Sequence, residues 1–241
     1  MIVLHEPGII VLKARKVAGT SLEIALSRSA TDSSIITPIV PEDEAIRTRL
    51  GYRGPQNFRH DLAYFPKLSL REMLRAVRRK QMPPKFYNHI PAAQARAYLG
   101  DDIWTRYKKV SIIRNPFDYM VSAYYWSIGQ KKITPETGFE DWVLDSPEVL
   151  ARNEEIYKIN DENIIDLMLR FDRLDIDLKK LEALHPSLDG LAETFAGTIT
   201  KAAYRPKKAT TQEIFSAAPR ARDFIATQMR DHIDRYGFAI P

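Results

Sequence analysis

Residues 8–27 read GIIVLKARKVAGTSLEIALS. Gly8 to Ala14 form a short run rich in β-branched residues, opened by the turn pair Pro7-Gly8, and this predicts a buried strand. Arg15 to Gly19 make a loop. Thr20 and Ser21 then lead into LEIALS, where Leu22, Ala25 and Leu26 share one helical face. A strand that passes through a glycine-bearing loop into a helix suits anion binding. The first helical N–H groups have no partner within the helix, and the dipole favours negative charge there. Gly19 permits close backbone approach, Thr20 and Ser21 add hydroxyl donors, and Lys16 adds a cation. A helix simply capped by Thr20 or Ser21, with Lys16 solvated, fits the same residues. The Walker pattern is not met, because threonine and not lysine follows Gly19.

The same strand-to-helix arrangement recurs. Lys109 to Arg114 (KVSIIR) predict a second buried strand, and Asn115-Pro116 start a helix running to about Ile128. Arg114 ends the strand, and Ser122 lies about two turns along the helix. A guanidinium and a hydroxyl so spaced can hold a second phosphate, or Arg114 can pair with Asp118.

Further strands are expected at Ser34–Val40 (an edge, because of Pro38), Lys85–Ile90 and Ile165–Phe171. Helices are expected at Ser69–Lys80, Pro91–Tyr98, Gly138–Leu144, Asp175–Leu184 and Ala221–Tyr236. Residues 41–66 read as irregular, and Thr198–Thr211 as a basic loop. Alternating strands and helices imply an α/β fold with a mainly parallel central sheet flanked by helices in three layers. The chain reads as one domain over 1–241, with 41–105 as a partly irregular insertion near the acceptor side.

The 241 residues carry a net charge of +5, with a pI near 9.3, which points to an anionic partner. The absence of cysteine excludes disulfides, thiolate metal sites and a cysteine nucleophile. The first residues do not have the pattern of a signal peptide, and no run reaches the length of a membrane span. A cytoplasmic enzyme without a membrane span is expected.

Together the two elements resemble the sulfotransferases that use 3′-phosphoadenosine 5′-phosphosulfate. They are most similar to the branch containing heparan sulfate 2-O-sulfotransferase and bacterial carbohydrate sulfotransferases. The resemblance implies a P-loop-like fold. It implies that Lys16, Val17, Ala18, Gly19, Thr20 and Ser21 cradle the 5′-phosphosulfate and that Arg114 and Ser122 grip the 3′-phosphate. Arg15 stands where the family usually has proline, and Val17 where it usually has threonine, which removes one hydroxyl donor but no backbone donor. FYNHIPAAQAR resembles the stretch with the family's catalytic histidine and puts His89 in that role. IDLMLRFDRLDIDLKKLEAL resembles the strand-helix unit after the nucleotide core. AYRPKKATTQEIF resembles a basic loop that closes over the nucleotide, which makes Arg205, Lys207 and Lys208 ligand contacts. The likeness covers 8–30, 85–130 and 160–238, and leaves acceptor choice to the segments between.

The implied reaction moves a sulfuryl group to an acceptor hydroxyl, on a glycan or polysaccharide that can itself be anionic, with adenosine 3′,5′-bisphosphate as product and no metal. Lys16 and the loop amides would bind charge growing on the leaving oxygen, and His89 would act as general base. His60 and the acids Glu42, Asp43 and Glu44 are alternative bases. His5, His185 and His232 read as structural or exposed, and Tyr124, Tyr125 and Trp126 as packing residues. Between Lys67 and Lys85 lie seven basic residues and one acid, Glu72. They form either a solvated helix face or a docking face for an anionic acceptor. The competing functions are a P-loop nucleotide-dependent kinase and a non-enzymatic nucleic-acid-binding protein. The first lacks a lysine after the loop glycine, and the second lacks any specific nucleic-acid motif.

Overall fold

The computed structural model describes residues 1–198, 206 and 210–241. The chain opens with an antiparallel hairpin of β1 (Ile2–Leu4) and β2 (Ile9–Val11). Gly8 closes the turn at φ 62°, a region costly for other residues. Then come α1 (Gly19–Ser27), β3 (Ile35–Ile36), α2 (Pro41–Arg49), a 3-10 turn at Leu62–Lys67 and α3 (Leu70–Arg79). Next are α4 (Ala92–Leu99), α5 (Asp101–Arg106), β4 (Lys108–Ile113), α6 (Pro116–Gly129) and α7 (Phe139–Asp145). The short helices α8 (Pro147–Ala151) and α9 (Glu154–Tyr157) precede a small hairpin, β5 (Lys158–Ile159) and β6 (Glu162–Asn163). The rest comprises β7 (Leu167–Arg170), α10 (Leu174–Glu182), α11 (Leu191–Ala196), α12 (Thr211–Ser216), α13 (Pro219–Gln228) and α14 (Arg230–Tyr236).

The five-stranded sheet has the order β3-β1-β2-β4-β7. β2, β4 and β7 are mutually parallel, and β1 is antiparallel to both neighbours, so four of the five strands run one way. The fold is thus mixed α/β with a mostly parallel central sheet. Every residue of β1 and β2 is buried. Successive strand side chains point to opposite faces, so both faces are covered there. Each fully buried Ile or Leu stabilises by about 1.5–3 kcal/mol.

Among the described residues, two large apolar cores result. One joins the strands to α1, α10 and α11 through Leu22, Leu26, Leu178 and Leu191. The other lies under α6, where Phe117, Met120 and Val121 meet Trp142, Phe215 and Ile225.

Several expectations need correction. The run 85–90 is not a strand, because Asn88-His89 turn there with His89 at φ 59°, which a pleated strand cannot contain. Residues 41–66 are not irregular throughout. α2 starts with Pro41 in its first turn beside Glu42, Asp43 and Glu44, a favourable helix start, and the 3-10 turn follows later. The single long helix expected at 221–236 is two helices broken at Met229. Thr227 Oγ1 donates to the Asp223 carbonyl at 2.8 Å, a back-bond that bends helices. The face of Leu70, Leu74 and Val77 on α3 is exposed rather than packed.

Candidate functional site

β2 runs directly into the loop 13–18, and α1 begins at Gly19. The loop has an unusual backbone. Lys16 and Ala18 stand in the left-handed region at φ 61° and 60°, and Val17 between them does not. Each non-glycine residue held there costs on the order of 1–2 kcal/mol. Left-handed residues in a turn are one element of the backbone concavities that hold anions. Ala18 is the N-cap of α1 and has no side-chain acceptor, so the cap from Thr20 or Ser21 weighed above is not what starts this helix.

The side chains of the loop diverge. Val17 is buried and belongs to the main core. Lys16 Nζ reaches α6 and lies 5.3 Å from the Trp126 ring centroid, near Lys132 at 4.3 Å from the same ring. Ser122 is half-buried on α6, one turn before Trp126. Thr20 and Ser21 are buried in the first turn of α1.

Gly19 has a structural duty. A Cβ built there would lie 2.8 Å from Lys13 Cγ. The Lys13 side chain crosses Gly19 to reach Glu23 Oε2 at 2.5 Å and Asn88 Oδ1 at 3.2 Å. Glu23 is fully buried and also accepts from the amino group of Met1. Burial alone would raise its pKa, but the charges of Lys13 and the amino terminus outweigh this and lower it to about 2.

Both remaining motifs attach to this loop. His89 Nδ1–H donates to the Lys13 carbonyl at 2.9 Å. That bond fixes the tautomer and leaves Nε2 as the proton acceptor. Burial lowers the His89 pKa to about 4, helped by the charges of Arg15 and Lys13 and opposed by this hydrogen bond. Asn88 Nδ2 donates to the Pro38 carbonyl at 2.7 Å and anchors the turn that carries His89. Arg114 NH1 donates to the Lys16 carbonyl at 3.1 Å, and its guanidinium lies 4.3 Å from the Phe171 ring centroid.

The two ends of the basic segment bond to α1 and α6. Thr198 Oγ1 donates to the Ser21 carbonyl at 3.3 Å, and Thr211 Oγ1 donates to Asp118 on α6. Arg205, Lys207 and Lys208 lie outside the described residues.

The alternative bases are held differently. His60 stacks on Tyr64 with centroids 3.8 Å apart and meets Tyr98 edge-on. Glu44 accepts from Arg47 at 3.1 Å and from the Ile39 amide at 2.9 Å.

Asn153 carried no motif, yet it clasps Arg15. Its Oδ1 accepts from the Arg15 amide at 2.9 Å and its Nδ2 donates to the Arg15 carbonyl at 3.3 Å. A small cleft beside the loop is lined by Val17, Arg114, Tyr119, Asn153, Glu154 and His232. His232 pairs there with Glu154 at 3.2 Å.

Compared with family models, curated proteins and solved structures, the chain has no significant match to any of the three. Among the described residues, no helix is long and apolar enough to cross a membrane, and no group of three or more His, Asp or Glu side chains is arranged to hold a metal.

Proposed function

We propose that this chain is a sulfotransferase on a P-loop-like fold. It would move a sulfuryl group from 3′-phosphoadenosine 5′-phosphosulfate to a carbohydrate hydroxyl. The observation that carries the reading is the attachment of two separate sequence motifs to the loop that forms the third. His89 bonds to Lys13 at its start, and Arg114 bonds to Lys16 at its centre.

The residues present suit an anionic donor of this kind. The left-handed turn at Lys16 and Ala18 leads into the amino end of α1 at Gly19, where unpartnered amides suit a phosphosulfate. Arg114 NH1 donates to the loop, and with Ser122 its guanidinium would hold the 3′-phosphate. Arg205, Lys207 and Lys208 are assigned to the nucleotide by resemblance alone. The donor supplies an activated sulfuryl group, and the chain's own groups do the rest. His89 Nε2 takes the proton of the acceptor hydroxyl as its oxygen bonds to sulfur. Lys16 and the loop amides stabilise charge on the departing phosphate oxygen.

The deciding experiment compares thermal shifts with adenosine 3′,5′-bisphosphate, ATP with Mg²⁺, and duplex DNA. A ligand bound by the native state alone raises stability. The bisphosphate should stabilise the protein, and EDTA should leave the shift unchanged. A shift seen only with ATP and Mg²⁺ would overturn the assignment in favour of a kinase. One seen only with DNA would favour a nucleic-acid-binding protein.

A further inference from the structure

Helix α3 is firmly built but poorly covered. Ser69 caps it, with Ser69 N–H donating to Glu72 Oε2 at 3.0 Å and Glu72 N–H returning to Ser69 Oγ at 3.4 Å. It rests on a satellite core of Leu68, Ala76 and Met82 with Tyr64, Phe65 and Met73. Three of its apolar residues do not join that core. Leu70 is 81% exposed, Leu74 73% and Val77 66%. They recur at i, i+4 and i+7, which makes one continuous stripe. Arg71, Arg75 and Arg78 repeat the spacing one residue later, in a parallel stripe ~100° around the helix, and all three are exposed.

We propose that α3 is a peripheral docking helix for an anionic bilayer surface. Leu70, Leu74 and Val77 enter the boundary between headgroups and acyl chains, and Arg71, Arg75 and Arg78 meet lipid phosphates. The charge pattern selects this occupant. The segment from Lys67 to Lys85 has seven basic side chains against one acid, and that acid, Glu72, is engaged in the cap. A second copy of the chain would set arginines against arginines. An acidic polysaccharide would meet the arginines but leave the apolar stripe in water. An anionic leaflet satisfies both stripes together. The inference is independent of sulfuryl transfer.

The test is co-sedimentation with vesicles of phosphatidylcholine alone, or with about one third phosphatidylglycerol. The protein should bind the anionic vesicles and not the neutral ones. Leu70→Gln/Leu74→Gln should weaken that binding by more than about tenfold. Arg71→Gln/Arg75→Gln/Arg78→Gln should do the same, and both variants should keep the parent melting temperature because every changed side chain is exposed. No binding to either vesicle would overturn the proposal. So would vesicle binding that survives loss of the leucines, with equal retention of both proteins on a heparin column, which would identify a polyanion surface. A concentration-dependent dimer in sedimentation velocity that Leu70→Gln/Leu74→Gln abolishes would identify a second copy instead.

Discussion

His89 gives its Nδ1 proton to the main-chain carbonyl of Lys13, 2.9 Å away. The base proposed for the acceptor is therefore held by the residue that opens the loop 13–18. With its pKa lowered to about 4, the ring is neutral throughout the physiological range. The acid limb of kcat/KM should fall near pH 4 rather than near 6.5. Stability carries the same signature. The unfolded chain binds a proton that the folded chain does not, so the contribution of His89 is complete above pH 6.5 and declines as the pH falls toward 4. Urea titrations of the parent and of His89→Gln between these limits measure it, and equal slopes would remove the assignment.

Loss of the imidazole should separate binding from chemistry. His89→Ala leaves the loop amides and Arg114 in place, so the shift with adenosine 3′,5′-bisphosphate should persist. Transfer of labelled sulfate to a glycan panel should drop by roughly two to four orders of magnitude. An active His89→Ala enzyme would transfer the role elsewhere, and His60 would be the next residue to change.

Arg114→Ala should weaken adenosine 3′,5′-bisphosphate more than adenosine 5′-phosphate, by about 1.5–3 kcal/mol for a charge-assisted contact. Its bond to the Lys16 carbonyl means that both ligands should lose some affinity through the loop. Isothermal titration with the two ligands measures the difference. Equal losses would make Arg114 a support for the loop and nothing more.

Much of this arrangement could be read from sequence, where local pattern and tertiary need coincide. The strands at 9–11 and 108–113 are apolar runs between turn formers, and α6 opens with Asn115-Pro116. Hydrophobic periodicity failed where local signals decide instead. α2 has a good start in Pro41 and its acids but a weak apolar face. The turn at Asn88-His89 lies in an apolar run that imitates a strand, and it is held by Pro38 and Lys13, distant in the chain. Glu23 within LEIALS reads as the polar face of a helix. Its burial depends on Lys13, ten residues earlier, and on Met1, which no periodicity connects. Asn153 was invisible because its partner is the main chain of Arg15, 138 residues away.

Gly19→Ala should be costly although residue 19 has ordinary helical geometry. The added methyl meets Lys13 Cγ at 2.8 Å and must push that side chain off its path to Glu23. Crowding of this kind costs typically about 1–3 kcal/mol. A double-mutant cycle identifies the cause: in a Lys13→Ala background the same substitution should cost much less. An undiminished cost there would mean that the glycine serves the backbone and not the lysine.

Glu23→Gln tests the charge network under the site. Glu23 faces the Lys13 ammonium and the amino group of Met1, whose pKa burial lowers to about 6, with no exposed surface on the carboxylate. Neutralising it leaves the Lys13 ammonium without its counter-charge, and breaking a buried pair in this way costs roughly 3–5 kcal/mol. The pH dependence follows from its lowered pKa. The contribution is present above the ordinary carboxylate range and is lost as the pH falls toward about 2. Glu23→Gln should therefore flatten the acid loss of stability below about pH 4.3. Because Lys13 also holds His89 through its carbonyl, sulfate transfer by the variant should fall at saturating acceptor. Urea unfolding at a series of pH values, beside kcat at each, distinguishes the two effects. If the parent and Glu23→Gln lose stability in parallel below pH 4.3, the carboxylate does not hold the network together.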